Sequence, residues 1–387
     1  MKFFRVPKDI VFGWGSLEYL KQIKGKKAFL VTDPTMVKAG VAERVENYLK
    51  EAGLAVQKFT EVEPDPSRET VEKGTKLMQS FEPDWIVALG GGSSMDAAKG
   101  MWVLYEYPDI TWEKVFTATP VLRNKAKFIA ITTTSGTGSE VTCAAVITNR
   151  SVRPNVKDVI ASMEISADIA ITDPELASTM PPKVTAATGV DALVHAIESY
   201  TSIAATVIDK AIALKAIQMV FSSLPKAYAD GRNQVAREDM ATASLMAGMA
   251  FTNSFLGIVH SLAHQLGSEF GVPHGAANSL MLPYVMKFNS IAVSELYAEI
   301  ASALNIEFYD DREAVDKLIK AIFQLQEDVG QPHTIKEYGI DEKTFIGLLD
   351  NLAQNALNDA CVFCNPRVPS LEDMKNLYLA AYYGKES

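Results

Sequence analysis

Over the first 180 residues, short apolar runs alternate with stretches in which apolar positions recur every three or four residues. Lys26–Thr32 (KKAFLVT), Leu54–Phe59, Asp84–Leu89 (DWIVAL), Lys127–Thr132 (KFIAIT) and Ile169–Thr172 have the length and side-chain character of strands. Val41–Ala52 and Glu69–Phe81 carry a helical period between them. Alternation of this kind predicts βαβ units and a largely parallel sheet. The pattern changes at Pro181 and Pro182. Beyond them no run reads as a strand, and helical periods rich in Ala, Leu, Met and Glu take over. Breaks are expected at Pro225, Gly231, Pro273 and Pro283. The pattern thus predicts an α/β domain over residues 1–180 and an all-helical domain over residues 181–387.

Length agrees with two domains, because a chain of 387 residues exceeds the usual size of a single core. The formal charge of −10 argues against nucleic acid and anionic membranes as partners. It leaves room for a phosphate-bearing cofactor, which backbone N–H groups can bind locally. The three cysteines, Cys143, Cys361 and Cys364, are too few and too unevenly placed for a disulfide framework, which suggests a reducing compartment. Cys361 and Cys364 form a C-x-x-C pair, read here as a feature of a loop ending at Pro366. The N-terminal MKFFRVPKDIVFGWG has no long apolar segment and does not read as a signal peptide. The longest apolar stretch, about 241–266, contains Asn253, His260 and His264 and reads as a buried helix pair rather than a membrane span. These features together predict a cytoplasmic protein.

Two loops carry the signature of anion binding. GGGSSMDAAK (90–99) follows the strand DWIVAL. Its glycines allow close backbone approach to a ligand, and the helix that follows offers free N–H groups to a pyrophosphate. Ser93 and Ser94 add hydroxyls, and Asp96 falls in the first helical turn. The motif is neither G-x-G-x-x-G nor a Walker loop, and a purely structural turn is the alternative. TTTSGTGSE (132–140) leaves the carboxyl end of the strand KFIAI, where open α/β sheets bind ligands. Asp33 ends the strand KKAFLVT. Facing an adenosine ribose, it would accept hydroxyl donors and repel a 2′-phosphate, favouring NAD over NADP; otherwise it caps the turn at Pro34.

The helical half holds a second constellation. Of five histidines, His260, His264 and His274 lie within fifteen residues. Asp191 and His195 are four apart, as are His260 and His264, so each pair shares a helix face. A carboxylate with imidazoles suits Fe2+ or Zn2+, and the absence of thiolates removes the usual mark of a structural zinc site. Spacing alone leaves five candidate ligands. A divalent metal acidifies a hydroxyl and polarises a carbonyl, so such a site beside a nicotinamide would suit alcohol–aldehyde interconversion.

The motifs ALGGGSSMDAAKGMW, SGTGSEVT, TDPEL, GVDALVHAIESY, GMAFTNSFLGIVHSLAHQLG and VPHGAANSLMLPYV make the chain resemble the iron-containing (group III) alcohol dehydrogenases over nearly its whole length. The resemblance looks nearest to the alcohol dehydrogenase half of bifunctional aldehyde-alcohol dehydrogenases. It implies a Rossmann-like nucleotide-binding domain followed by a helical metal-binding domain, dehydroquinate-synthase-like in architecture. It implies a metal, Fe2+ with Zn2+ as the alternative, on Asp191, His195, His260 and His274, and leaves His264 as the proton-relay residue. It places the pyrophosphate on Gly91, Gly92 and Ser93 beside Asp96, and puts Thr133 and Thr134 on a second cofactor loop. Asp33 matches the position that favours NAD, and Lys157 matches a lysine near the cofactor ribose. The substrates implied are short primary alcohols, diols and aldehydes, and the assembly a homodimer or larger. The segment Asn149–Ile165 departs from the family's regular pattern, which bears on Lys157, and Thr132 stands where many members have proline. In some relatives a cysteine matching Cys361 lies near the active site. Alternatives are a dehydroquinate-synthase-like lyase, whose first metal ligand is typically glutamate, a non-catalytic NAD or metal sensor, and a metallohydrolase, which would leave both polar loops unexplained.

Overall fold

The structure is a computed structural model that describes residues 2–152 and 156–384. Backbone packing divides the chain into Arg5–Thr179 and Met180–Ser387, the latter with Met1–Phe4.

The first unit contains strands β1 (Asp9–Phe12), β2 (Lys27–Val31), β3 (Ala55–Phe59), β4 (Trp85–Gly90), β5 (Lys127–Thr132), β6 (Ala144–Asn149), β7 (Val156–Ala161) and β8 (Ile169–Thr172). Its helices are α1 (Pro34–Lys38), α2 (Val41–Glu51), α3 (Arg68–Phe81), α4 (Gly92–Glu106), α5 (Trp112–Thr117) and α6 (Pro174–Ala177). Six strands form one parallel sheet in the order β1-β8-β5-β4-β2-β3. Successive side chains on a strand point to opposite faces, and the sequence uses both. Phe29, Val31, Ile86, Ala88, Phe128 and Ala130 join one buried cluster. Ala28, Leu30, Val87, Leu89, Ile129 and Ile131 join another. Apolar side chains on both faces explain why these strands read as continuous runs rather than alternating ones.

Register positions the polar loops. Gly90 at the end of β4 pairs with Thr132 at the end of β5, and Thr133 N–H donates to the Gly90 carbonyl at 3.0 Å. The two loops therefore leave adjacent strands at the same sheet edge. Val31 of β2 pairs with Ala88 of β4, which brings Asp33 to that edge as well.

Two features of this unit escape the hydrophobic pattern. β1 is four residues long and half-buried, so DIVF carries little strand signal. β6 and β7 form an antiparallel hairpin with Asn149 opposite Val156, in the segment whose sequence looked irregular. Its tip, residues 153–155, lies outside the described residues.

The hairpin is fixed to α4 by Lys99, which is fully buried. Its ammonium donates to the carbonyls of Ser139 (2.9 Å), Thr142 (3.1 Å) and Ala144 (2.9 Å) and to Thr142 Oγ1 (3.1 Å). Burial draws the Lys99 pKa down, while nearby Asp96 opposes that shift. Lys99→Met would remove the donor that these acceptors share, leaving the Ser139 carbonyl with only its longer bonds from Thr142 N–H (3.4 Å) and Oγ1 (3.3 Å). It is expected to cost about 3 kcal/mol or more in chemical denaturation, since each buried unsatisfied group costs roughly 1–3 kcal/mol.

Beyond Met180 the described residues form helices and short 3-10 turns: α7 (Pro182–Thr201), α8 (Val207–Ala229), α9 (Gln234–Ser254), α10 (Ile258–Phe270), α11 (His274–Ala303), α12 (Asp311–Asp328), α13 (Ile335–Tyr338), α14 (Glu342–Leu357) and α15 (Leu371–Tyr383). Gly231 and Pro273 fall between helices, but the breaks expected at Pro225 and Pro283 are absent. Both prolines lie inside helices, Pro225 in α8 and Pro283 in α11. A mid-helix proline frees the carbonyl four residues back. For Pro283 that is Ser279, whose carbonyl accepts from Gln326 Nε2 at 2.7 Å, so a buried side chain of α12 replaces the missing backbone donor. The apolar stretch 241–266 forms the end of α9 and the start of α10, which meet at 107°. Among the described residues no single helix is long and apolar enough to cross a membrane.

Candidate metal centre

α7 sets three ionisable side chains along one buried face: Asp191, His195 and Glu198, at i, i+4 and i+7. His260 lies in the first turn of α10, and His274 is the first residue of α11. The start of α11 lies directly against α7, because a Cβ on Gly275 would sit 2.2 Å from the Ala187 carbonyl oxygen and 3.2 Å from Asp191 Cβ. Only glycine permits that approach, which carries His274 to Asp191.

One ligand atom from each of Asp191, His195, His260 and His274 lies within 4.8 Å of all the others. His274 Nε2 is 3.6 Å from Asp191 Oδ1, and His195 Nδ1 is 4.0 Å from Asp191 Oδ2. The His195 ring stacks between His260 at 4.7 Å and Phe251 at 4.5 Å. Asp191, His195 and His260 are buried, whereas His274 is exposed.

The electrostatics favour ligand forms. Burial alone would raise the Asp191 pKa, but His195, His274, His260 and a hydrogen bond from Asn278 hold it below the ordinary carboxylate value. Burial, then the neighbouring His195 and His274, push His260 well below the ordinary imidazole value. An ionised carboxylate beside a neutral imidazole is the form in which each can bind a cation.

Two residues not singled out in the sequence complete this geometry. Glu198 Oε2 lies 2.5 Å from His260 Nδ1, and its Oε1 accepts from Val259 N–H at 2.7 Å. Burial lifts the Glu198 pKa to about 7, against the backbone N–H groups around Gly257 and Val259 that lower it. Asn278 Nδ2 lies 2.7 Å from Asp191 Oδ1, 3.1 Å from His260 Nε2 and 3.2 Å from His274 Nε2. These three atoms surround one amide nitrogen, while Asn278 Oδ1 is buried without a partner among the described residues. The donor set itself fits a cation: one ligand atom from each of the four residues lies within 4.8 Å of the others, and a carboxylate with three imidazoles suits Fe2+ or Zn2+.

His264 stands outside the four-residue group. Its Nδ1 lies 2.8 Å from Asp359 Oδ2, and its ring stacks on His274 at 5.6 Å. Asp359 Oδ1 accepts from Cys361 N–H at 2.9 Å. Burial would raise the Asp359 pKa, but the hydrogen bond and charge of His264, with the Cys361 amide, bring it down to about 2. Burial and the adjacent Asp359 push the Cys361 thiol well above its ordinary value, so it is protonated at neutral pH.

The expected cofactor residues gather at the sheet edge described above. α4 begins at Gly92 with no side-chain cap from Gly91, so its first N–H groups have no capping side chain. A Cβ on Gly91 would lie 3.4 Å from Thr134, and one on Gly92 3.4 Å from Thr137, so the two loops face each other closely. Thr134 Oγ1 and Ser135 Oγ are buried without partners among the described residues, whereas Thr133 is buried and bonded to Gly90 through its backbone. Asp33 caps the turn at Pro34 and also reaches the glycine-rich turn. Oδ1 caps α1 through Thr35 N–H (2.8 Å) and Met36 N–H (3.2 Å), and Oδ2 accepts from Ser94 Oγ at 3.2 Å on the glycine-rich turn. Ser93 Oγ accepts from Asp65 N–H at 3.3 Å, and Lys157 Nζ pairs with Asp65 Oδ1 at 2.8 Å, so Lys157 is linked to the loop through Asp65. Asp96 accepts from Ser139 Oγ (3.3 Å) and Val146 N–H (3.0 Å), bracing one polar loop against the other, and burial raises its pKa to about 6.

Comparison with known proteins agrees with this architecture. Residues 7–174 match the family described as iron-containing alcohol dehydrogenase, and residues 185–382 match the C-terminal part of the Fe-containing alcohol dehydrogenase family. An NADPH-dependent butanol dehydrogenase from Clostridium saccharobutylicum is 48% identical over 99% of this chain and 98% of its own. The bifunctional aldehyde-alcohol dehydrogenase AdhE of Escherichia coli K12 is 39% identical over the whole of this chain, which spans 47% of that protein. The structure of a 1,3-propanediol oxidoreductase superposes with a TM-score of 0.92 at 37% identity, covering 99% of this chain and 100% of the other. With both halves matched and the butanol dehydrogenase aligned nearly end to end, the chain belongs to the iron-containing alcohol dehydrogenase family.

Proposed function

We propose that this protein is a metal-dependent dehydrogenase that interconverts short primary alcohols or diols with their aldehydes, using a nicotinamide cofactor. The observation that carries the reading is the group of Asp191, His195, His260 and His274, three of them buried, with His264 held beside it by Asp359. The four would hold Fe2+, or Zn2+ as the alternative, and an ion bound there would supply Lewis acidity toward the hydroxyl or carbonyl oxygen. The nicotinamide, when bound, would supply or accept the hydride.

The protein's own groups do the rest. Asp191 contributes the only carboxylate among the four and partly neutralises a divalent charge. With Nδ1–H donated to Asp359, His264 keeps a lone pair on Nε2 to take up or return the substrate's hydroxyl proton. Gly91, Gly92 and Ser93, with the uncapped start of α4, would hold the cofactor pyrophosphate. The unpartnered hydroxyls of Thr134 and Ser135 offer further hydrogen bonds. Lys157 would act at the ribose, and Asp96 by keeping the two loops together.

NAD is the proposed cofactor, because Asp33 places a carboxylate at the glycine-rich turn, where it would repel a 2′-phosphate. The similarity to a butanol dehydrogenase named as NADPH-dependent favours NADP as a second reading. Asp33→Gly is expected to raise kcat/KM for NADP relative to NAD by about tenfold or more, the effect of removing roughly 1.4 kcal/mol of repulsion. An unchanged ratio would remove Asp33 from cofactor selection, and a wild-type preference for NADP would overturn the NAD assignment.

The function as a whole is tested with anaerobically prepared, Fe2+-loaded protein offered ethanol, 1-butanol and 1,2-propanediol. Cofactor reduction with at least one is expected. A fully loaded protein inactive toward every short alcohol and aldehyde would refute the proposal.

A further inference from the structure

Glu198 touches none of the groups assigned above to substrate or cofactor, yet it meets one proposed metal ligand at the shortest contact in the centre. We infer that Glu198 is a positioning residue that fixes the tautomer of His260 and thereby sets the metal affinity of the site. The inference rests on the metal-site reading given above.

In its ionised form Glu198 only accepts, so the partner of its Oε2 at His260 Nδ1 then carries the proton. A neutral imidazole has one N–H. Placing it on Nδ1 leaves Nε2 with its lone pair, and Nε2 is the atom that faces the Asp191–His274 convergence through Asn278 Nδ2. The other tautomer would aim an N–H at a cation and a lone pair at a carboxylate. Glu198 therefore selects the only neutral form of His260 that can bind a metal through Nε2.

The surroundings hold Glu198 in place. Its second oxygen takes the Val259 N–H at 2.7 Å, one of the N–H groups left free at the start of α10. The adjacent Ile258 N–H goes to Asn365 Oδ1 at 3.3 Å, and Asn365 is in turn bonded to Asn289. Gly257 leaves the necessary room: a Cβ there would stand 2.9 Å from Glu198 Oε1 and 2.8 Å from Asn365 Oδ1. One carboxylate thus orients the His260 ring and caps the helix that carries it.

The capping role and the tautomer role separate in Glu198→Gln, which keeps the size of the side chain. If the amide oxygen caps Val259, its NH2 meets Nδ1 and drives the proton to Nε2. If the amide oxygen meets Nδ1, the NH2 opposes the Val259 N–H. Either way one interaction is lost.

The test uses the full-length protein freed of metal, with Co2+ as a spectroscopic probe and histidine-selective 15N NMR to read tautomers. Wild type is expected to bind one Co2+ and to show His260 as the Nδ1–H tautomer in the metal-free state. Glu198→Gln is expected to remain folded with its amide oxygen on the Val259 N–H and its NH2 on Nδ1, to bind Co2+ roughly 10–100-fold more weakly with an altered visible spectrum, and to show the Nε2–H form. Should Glu198→Gln fail to fold, Gly257→Ala supplies the same test by displacing the carboxylate without removing it, and the same weakening is expected. A folded variant with wild-type Co2+ affinity and an unchanged His260 tautomer overturns the inference while leaving the metal site intact. Wild-type protein that binds no Co2+ overturns the metal-site reading and the inference together.

Discussion

His260→Ala is expected to leave a folded protein that retains no stoichiometric metal after anaerobic loading and desalting. The substitution removes one of four donors that approach a common point, and it removes the one most tightly built in. His260 is 1% exposed and stacked on His195, and it is held by Glu198 through Nδ1. Its loss also leaves Glu198 Oε2 without that partner and removes one of three acceptors around Asn278 Nδ2. Losing a group that only orients a ligand already costs roughly 10–100-fold in metal affinity, and losing the ligand itself should cost more. Alcohol-dependent turnover should fall with the metal. Elemental analysis of the desalted variant checks this directly. One equivalent of iron remaining bound would show that the centre lies elsewhere.

His264→Ala is expected to do the opposite to the metal and nearly the same to the rate. Its donor atoms group with Asp359 and Cys361 rather than with the other histidines, so metal content should stay at the wild-type level. Loss of a positioned acid–base group typically lowers kcat about 100- to 10,000-fold, and a drop in that range is expected here. Steady-state kinetics on metal-replete variant, with metal content measured on the same sample, separates the two effects. Loss of the metal would show that His264 is a ligand, and an unchanged kcat would remove it from proton transfer.

The parallel sheet was legible because its central strands are buried on both faces and read as unbroken apolar runs. Their glycine-rich exits were legible for the same reason, since each loop begins where an apolar run stops. β1 was not, because it is short, half-buried and paired with β8, distant in sequence; nor was the β6–β7 hairpin, which pairs locally but whose second strand is mostly exposed or half-buried. Pro283 misled for a related reason: the donor that replaces its missing N–H comes from Gln326, which no local rule can anticipate.

At the centre, i, i+4 spacing picked out Asp191 and His195, and the density of histidines picked out the remainder. Spacing could not divide His260 from His264, since both lie on α10 and differ only in what they meet across the fold. Glu198 was within reach of the same argument, standing at i+7 from Asp191 on the same face. Asn278 and Asp359 gave no such signal. Asn278 is an ordinary polar residue in a helix, and Asp359 lies 95 positions from the histidine it holds.

On this proposal one ion on Asp191, His195, His260 and His274 is required for alcohol oxidation. Anaerobic titration of the metal-free protein with Fe2+, following 1-butanol-dependent reduction of the nicotinamide cofactor, tests it most directly. Activity should rise from zero in proportion to added metal and break at one ion per chain. Full activity in rigorously metal-free protein, unaffected by added Fe2+, would contradict it.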